Sequence, residues 1–464
     1  MKKIIGMFHM IVFLVFVIIG GTFLQNNLYK EEPIVEDRQI AEEVNTNYDF
    51  DTVSSELPII LINTKDQNLN KETTIWSEIS VVDNVKGNNH QDGEPDFTTA
   101  ATIKYRGNSS YYNFDKRQFR IKLFKKSGST KEVDYGLCGM AEDSEWVLNG
   151  PFLDRTLIRN HLLYGISRDI MDWAPDSRYC EVFVDGNYEG VYLAVEPVTN
   201  GAGRLRLGKF GLLSGQTPYI IKRDRLGTEI NVLNTYGEKL GLTGQELSVQ
   251  YPASKNLTDV QYKWIEGDVS AFEEVLYSDY FADPDIGYRK FIDVESFVDY
   301  YIINELSMIV DAGLLSTYSS KELGGKLNMV VWDFNNGFDN YPWEDKDYNR
   351  LYVNGNWYRR LLQDRAFVDQ VIERYDELRQ GVLSNKQIDD RINADVVFLG
   401  DAVERNFEVW GYTFNQKLLS SDLEGNSRDP RSYEDAVNML KDTINNRLLY
   451  LDNHLVNLYD NVIN

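Results

Sequence analysis

The spacing of apolar residues changes once along this chain, and that change limits the fold more than any other feature. Before about Lys255, apolar and polar residues mostly alternate, whereas beyond it apolar residues recur every three to four positions. The first pattern belongs to strands buried on one face and the second to amphipathic helices. LPIILINT (Leu57 to Thr64), TTIWSEISVVD, TAATIKYRG and PYIIKRDR read as strands. KRQFRIKLFKK, Lys116 to Lys126, sets Phe119, Ile121 and Leu123 against Arg120 and Lys122, giving a half-buried strand with a positive face. YCEVFVDGNYEGVYLAVEPV reads as a hairpin turning at Asp185-Gly186-Asn187. One helix interrupts this half, DRTLIRNHLLYGISRDIM, with Asp154 placed to cap it. The later helices include VESFVDYYIINELSMIV, with a loop beginning at Asp311, then RAFVDQVIERYDELRQGVL and AVNMLKDTINNRLLYLDNHLVNLY. The expected class is α+β.

Charge and the N-terminus narrow the setting. The 464 residues carry a net charge of −24, which repels nucleic acid and anionic membrane surfaces and suits basic partners. Four histidines and two cysteines leave little material for a zinc site, and a histidine-based triad would have to use His161. Met1-Lys2-Lys3 precedes 21 residues without formal charge, Ile4 to Leu24, long enough to span about 30 Å of hydrocarbon. Residues 1–24 are expected to be a signal anchor with its lysines cytoplasmic, the rival being a cleaved signal peptide. Residues 25–56 are acidic and read as a solvated stalk. The folded body is then expected outside the cytoplasm. There Cys138 and Cys180, 42 positions apart, are either a disulfide or two separate buried thiols.

The chemistry is concentrated at VVWDFNNGFDN, Val330 to Asn340, where a strand-like run ends in Asp333, Asn335 and Asp339. Carboxylate and amide oxygens in that order suit a hard cation such as Mg²⁺, and the same residues also make ordinary turns. Asp311 lies one hairpin upstream. A carboxylate orienting a hydroxyl, followed one hairpin later by a metal-binding carboxylate, is the order found in protein kinases. The loop RGNSSYYNFDKR and the basic strand after it offer groups for phosphates. A kinase glycine loop and an H-R-D signature are absent.

Five stretches occur in order: IKYRGNSSYYNFDKRQFRIKL, WVLNGPFLDRTLIRNHLLYGISRD, GNYEGVYLAVEPV, NELSMIVDAGLLSTYSSKELGGKLNMVVWDF and RAFVDQVIERYDELR. Together they resemble the spore coat protein H (CotH) family, which is similar to atypical kinases. The resemblance implies a divergent two-lobed kinase fold, a β-rich N-lobe over 57–230 and a helical C-lobe over 231–464. It also implies ATP- and Mg²⁺-dependent phosphorylation of serine on a surface or spore-coat protein. Asp333 matches the first carboxylate of the family's W-D-x-D metal motif, and Asn335 stands where the second is usual, leaving Asp339 to make up the charge. Asp311 matches the catalytic-loop acid. Arg106, Asn108 and Ser109 match the R-G-N-S-S loop, and Lys116, Arg120 and Lys122 the basic strand, all toward ATP phosphates. Glu196 matches the glutamate after the Y-L-A-V strand and is a candidate partner for one of these cations. Two rival readings remain: a non-catalytic surface or adhesion module on the same fold, and a carbohydrate-active enzyme, for which no carboxylate pair is recognisable.

Overall fold

Strand β6, Gln118–Phe124, shows how the first half folds. Phe119, Ile121 and Leu123 are buried on one face, while Arg120 and Lys122 point to the other. Its neighbours repeat the pattern, Ile103 lying opposite Ile121 and Leu148 opposite Phe119. These inward rows, with Ile60, Val81, Trp146 and Val182, fill the inside of a closed barrel. In the computed structural model the barrel has seven strands, ordered β2-β3-β5-β6-β7-β9-β8. They are β2 (Ile59–Asn63), β3 (Ile75–Val82), β5 (Phe97–Arg106), β6, β7 (Glu145–Asn149), β8 (Ser177–Val184) and β9 (Asn187–Val195). All neighbours are antiparallel except β2 and β8, whose parallel pairing closes the ring and leaves no free edge. The two-residue strands β1 (Ser54–Ser55) and β4 (Asn89–His90) pair beside it.

A second sheet is ordered β11-β10-β12-β13, from β10 (Tyr219–Asp224), β11 (Glu246–Tyr251), β12 (Thr317–Lys321) and β13 (Leu327–Val330). It therefore joins strands that lie on either side of residue 230. One face, with Tyr219, Ile221, Leu327 and Met329, packs on the helical core; the other carries Ile220 and Val330.

The helices are α1 (Ser109–Asn113), α2 (Arg159–Ile170), α3 (Tyr236–Lys239), α4 (Asp259–Leu276), α5 (Val294–Leu306), α6 (Trp357–Leu361), α7 (Arg365–Arg379), α8 (Asn385–Leu399), α9 (Ala402–Trp410) and α10 (Tyr433–His454). Helix α4 begins in a capping box between Thr258 and Gln261. Every residue of α5 from Phe297 to Leu306 is buried, so this helix is the axis of the second half. Its buried acids are matched: Asp299 accepts from Arg374 at 2.9 Å, and Glu305 pairs with the buried Arg447 while accepting from the Tyr352 and Val353 amides. Helix α5 stops at Leu306 and not near Val310, because Met308 turns left-handed at φ 57°. Helix α2 likewise starts later than its apolar spacing suggests, yet Asp154 still accepts the Arg159 amide at 2.9 Å.

The structure describes residues 50, 53–84, 88–208, 211, 213–227, 229–341, 343, 346–415, 418 and 429–463. The expected anchor at 1–24 and nearly all of the stalk lie outside them. Among the described residues no helix is long and apolar enough to cross a membrane.

Candidate functional site

Asp333 follows β13 and adopts φ 64°. Its neighbours share this strain. Met308 and Ser316 in the loops before the β12–β13 hairpin, and Phe338 and Asp339 after it, are also left-handed without being glycine. Each such residue costs on the order of 1–3 kcal/mol and persists only where its surroundings impose it. The two loops bear on each other: the Phe338 amide donates to the Ser307 carbonyl at 2.8 Å, and Ser316 Oγ donates to Asp333 Oδ2 at 3.5 Å. The Asp311 loop thus ends on the Asp333 carboxylate, and the Asp311 carbonyl accepts from the Leu314 and Leu315 amides within it.

A row of amides fixes the rest. The Phe334 backbone N–H donates to Asn160 Oδ1 at 3.1 Å, which orients that side chain. Asn160 Nδ2 must then donate, and it does so to Asn335 Oδ1 at 2.9 Å, joined by Asn149 Nδ2 at 3.2 Å. With its oxygen engaged, Asn335 turns its Nδ2 to Asp333 Oδ1. Asn335 therefore holds the Asp333 carboxylate through N–H and does not present an oxygen beside it. The Asp333 amide donates to the hydroxyl of Tyr164, whose pKa is raised by burial and by the nearby Asp333 charge. Asp339, the candidate second charge, accepts the Lys346 amide at 2.8 Å.

From the barrel, Arg106 reaches this place. Its guanidinium lies 5.5 Å from the ring of Trp332, next to Asp333, and donates to Gln118 at 2.8 Å. The Tyr318 ring packs 6.1 Å from Trp332, and burial raises its pKa while Lys222 and Arg106 pull it down. Lys222 itself is held between Asp224 and Glu229. Arg106 thus reaches the ring of Trp332, the residue before Asp333, while Asp333 and Asn335 are held to each other, to β7 and to α2, with Ser316 of the Asp311 loop on the carboxylate.

The other candidates are placed differently. Arg120 and Lys122 project from the outer face of β6 and pair with Glu145, and Lys122 also with Glu132 at 2.8 Å. Lys116 is not on a phosphate-facing surface. It is 1% exposed, and its Nζ donates to the Val191 carbonyl at 2.6 Å and to Asn406 Oδ1 at 2.8 Å, tying the barrel to α9. Burial lowers its pKa to about 7. Glu196 pairs with none of the expected cations. Its partner is Arg204, 2.7 Å away and fully buried over Trp146, and burial raises the Glu196 pKa despite that neighbour. Asn108 accepts from Lys71 at 3.2 Å, and Ser109 opens the one-turn helix α1. His161 hydrogen-bonds Ser177 at 3.0 Å and faces Asp395 at 3.5 Å; burial lowers the histidine to about 4 and raises the acid to about 7.

Asn149, Asn160, Tyr164 and Arg204 were missed from the sequence. The first three lie within or beside quoted motifs, but nothing in their spacing points at residues 333–335, more than 160 positions away.

A family model described as "CotH kinase protein" matches residues 103–451. The chain belongs to the CotH family. No curated protein matches it. The CotH match begins within β5, ends in α10, and takes in Arg106, Asp311, Asp333 and the amides around them.

Proposed function

We propose that this CotH-family chain is an atypical protein kinase that transfers the γ-phosphoryl group of Mg²⁺-bound ATP to a serine hydroxyl. The observation that carries the reading is the left-handed Asp333 at the end of β13, its carboxylate held by Asn335 and Ser316, with Arg106 over the ring of the preceding Trp332. The Asp333 carboxylate fits Mg²⁺ as a single protein ligand, since the Asn335 oxygen is engaged by Asn149 and Asn160. Among the described residues no three of His, Cys, Asp and Glu cluster as a metal cage, and Mg²⁺ commonly takes one or two carboxylates with phosphates and waters completing its shell. A buried oxygen without a donor, Asn149 Oδ1, lies beside Asn335.

In this reading Asp333 holds the metal, and Asn335, Asn149 and Asn160 fix the angle of its carboxylate. Bound there, Mg²⁺ would supply positive charge to offset that of the phosphates during transfer. Arg106 faces the phosphates as a fork of N–H donors. Asp311 orients the serine hydroxyl and accepts its proton. In this reading the barrel serves as the N-lobe and the helical half as the C-lobe, and the hairpin β12–β13 separates the Asp311 and Asp333 loops. The substrate in this reading is a basic or serine-rich protein, the basic character complementing the net charge of −24. We place the body outside the cytoplasm, at the cell surface or in a spore coat, held by residues 1–24; protease added to intact cells should then degrade it.

Titration calorimetry of the full chain in detergent tests the reading. ATP should bind with Mg²⁺ and not with Mg²⁺ withheld. If no heat of ATP binding is found with either, the fold is better read as a surface-binding module.

A further inference from the structure

Cys138 and Cys180 belong to the same barrel core, although 42 positions separate them. Cys180 is on β8 with its side chain inward. Cys138 lies in a 3-10 turn, Leu137–Gly139, at φ 51°, and Gly139 follows at φ 76°. Two successive left-handed residues reverse the chain there, and the reversal directs the Cys138 side chain into the barrel, where it is 7% exposed. The turn packs against β8, both cysteines belong to the one barrel core, and Cys180 Sγ donates to the Tyr192 carbonyl at 3.7 Å. Each is a free thiol in this structure. A solitary buried cysteine behaves as a small apolar residue. Two that share one small barrel core, one on a strand and one on a left-handed turn packed against that strand, are also placed for bonding.

We propose that Cys138 and Cys180 form an intramolecular disulfide that fastens the Leu137–Gly139 turn to β8. The oxidant is a disulfide donor, either a small molecule such as oxidised glutathione or a protein disulfide. One cysteine thiolate attacks the donor, releasing one donor thiol and leaving a mixed disulfide on the chain. The second cysteine attacks the chain sulfur of that mixed disulfide and releases the other donor thiol. Two cysteine thiols and one donor disulfide thus become one protein disulfide and two donor thiols, and the donor is reduced by two electrons. The neighbouring Cys180 and burial both raise the Cys138 pKa, which slows attack in the closed barrel. The bond therefore forms as the chain folds or when the turn opens, and once formed it is shielded from reductants by the same burial.

The full chain, reduced and unfolded in guanidinium, is diluted into a mixture of oxidised and reduced glutathione, then alkylated under denaturing conditions and mapped by mass spectrometry. The expected result is a cross-linked peptide pair containing Cys138 and Cys180, no alkylated cysteine, and a thermal midpoint above that of protein refolded under reducing conditions. Two alkylated cysteines, stable glutathione adducts on either, or disulfide-linked dimers would overturn the proposal. Should the chain not refold, the same mapping is made on folded protein held with oxidised glutathione in sub-denaturing guanidinium, with the same outcomes deciding.

Discussion

At the scale of single residues, the candidate site depends on one carboxylate and the amides that aim it. Asp333→Asn keeps a residue type that tolerates a left-handed backbone and removes only the charge. It should abolish Mg²⁺-dependent ATP binding in calorimetry while changing unfolding free energy by no more than about 1 kcal/mol. A mere turn would give the reverse, with nucleotide binding unaffected and any loss seen in stability. Asn335→Asp probes the amide row. One carboxylate oxygen would accept from both Asn149 and Asn160, as the amide oxygen does now, and the other would face Asp333 in place of an N–H. Two carboxylates side by side repel unless a cation lies between them. The half-saturating Mg²⁺ concentration for ATP binding should therefore fall, and thermal stability without Mg²⁺ should drop.

At the scale of elements, the β8–β9 hairpin was legible and its use was not. Asp185-Gly186 turns left-handed as a short hairpin loop requires, with φ of 52° and 83°. Gly190, four residues on, is left-handed for a different reason. A Cβ there would come within 2.5 Å of Asn406 Oδ1, 3.0 Å of Trp410 Nε1 and 3.1 Å of Lys116 Nζ. Helix α9 docks against bare backbone at this point, with Trp410 donating to the Glu189 carbonyl and Asn406 accepting the Val191 amide. Gly186→Ala meets open space and should cost only the backbone conformation. Gly190→Ala adds steric overlap with a buried polar cluster, so denaturant unfolding should show a loss larger than Gly186→Ala and above about 1–3 kcal/mol. The alternation of apolar residues located both strands because it records one buried face. It carried no mark of the helix on the other side, because that helix lies more than 200 residues away in sequence.

At the scale of the whole molecule, Lys116 joins the barrel to the second half at an electrostatic cost that pH can read. Its pKa falls from 10.5 in the unfolded chain to about 7 in the protein because burial disfavours the charged form. Between those values the unfolded chain holds a proton that the folded protein lacks, so stability rises with pH across that window. Asp395, raised to about 7 by burial, works weakly in the other direction near neutrality, so the useful quantity is a difference between variants. From pH 7 to about 8.5 the wild type should gain on the order of 1–2 kcal/mol relative to Lys116→Met, measured by denaturant unfolding at each pH. A parallel pair of curves would mean that the lysine stays charged. What the sequence determined by itself was local: strands and helices from the period of apolar residues, a hairpin from its turn, an acidic surface, and a family-level likeness from ordered motifs. Those properties depend on neighbours within a few residues, which a single string records. The tertiary structure alone decided that β2 and β8 close a barrel, that Lys116 and Glu196 face inward to Asn406 and Arg204, and that Asn335 turns its N–H to Asp333. Each of these follows from which distant group competes for a donor, an acceptor or a buried place, and that competition is settled only when the chain has packed.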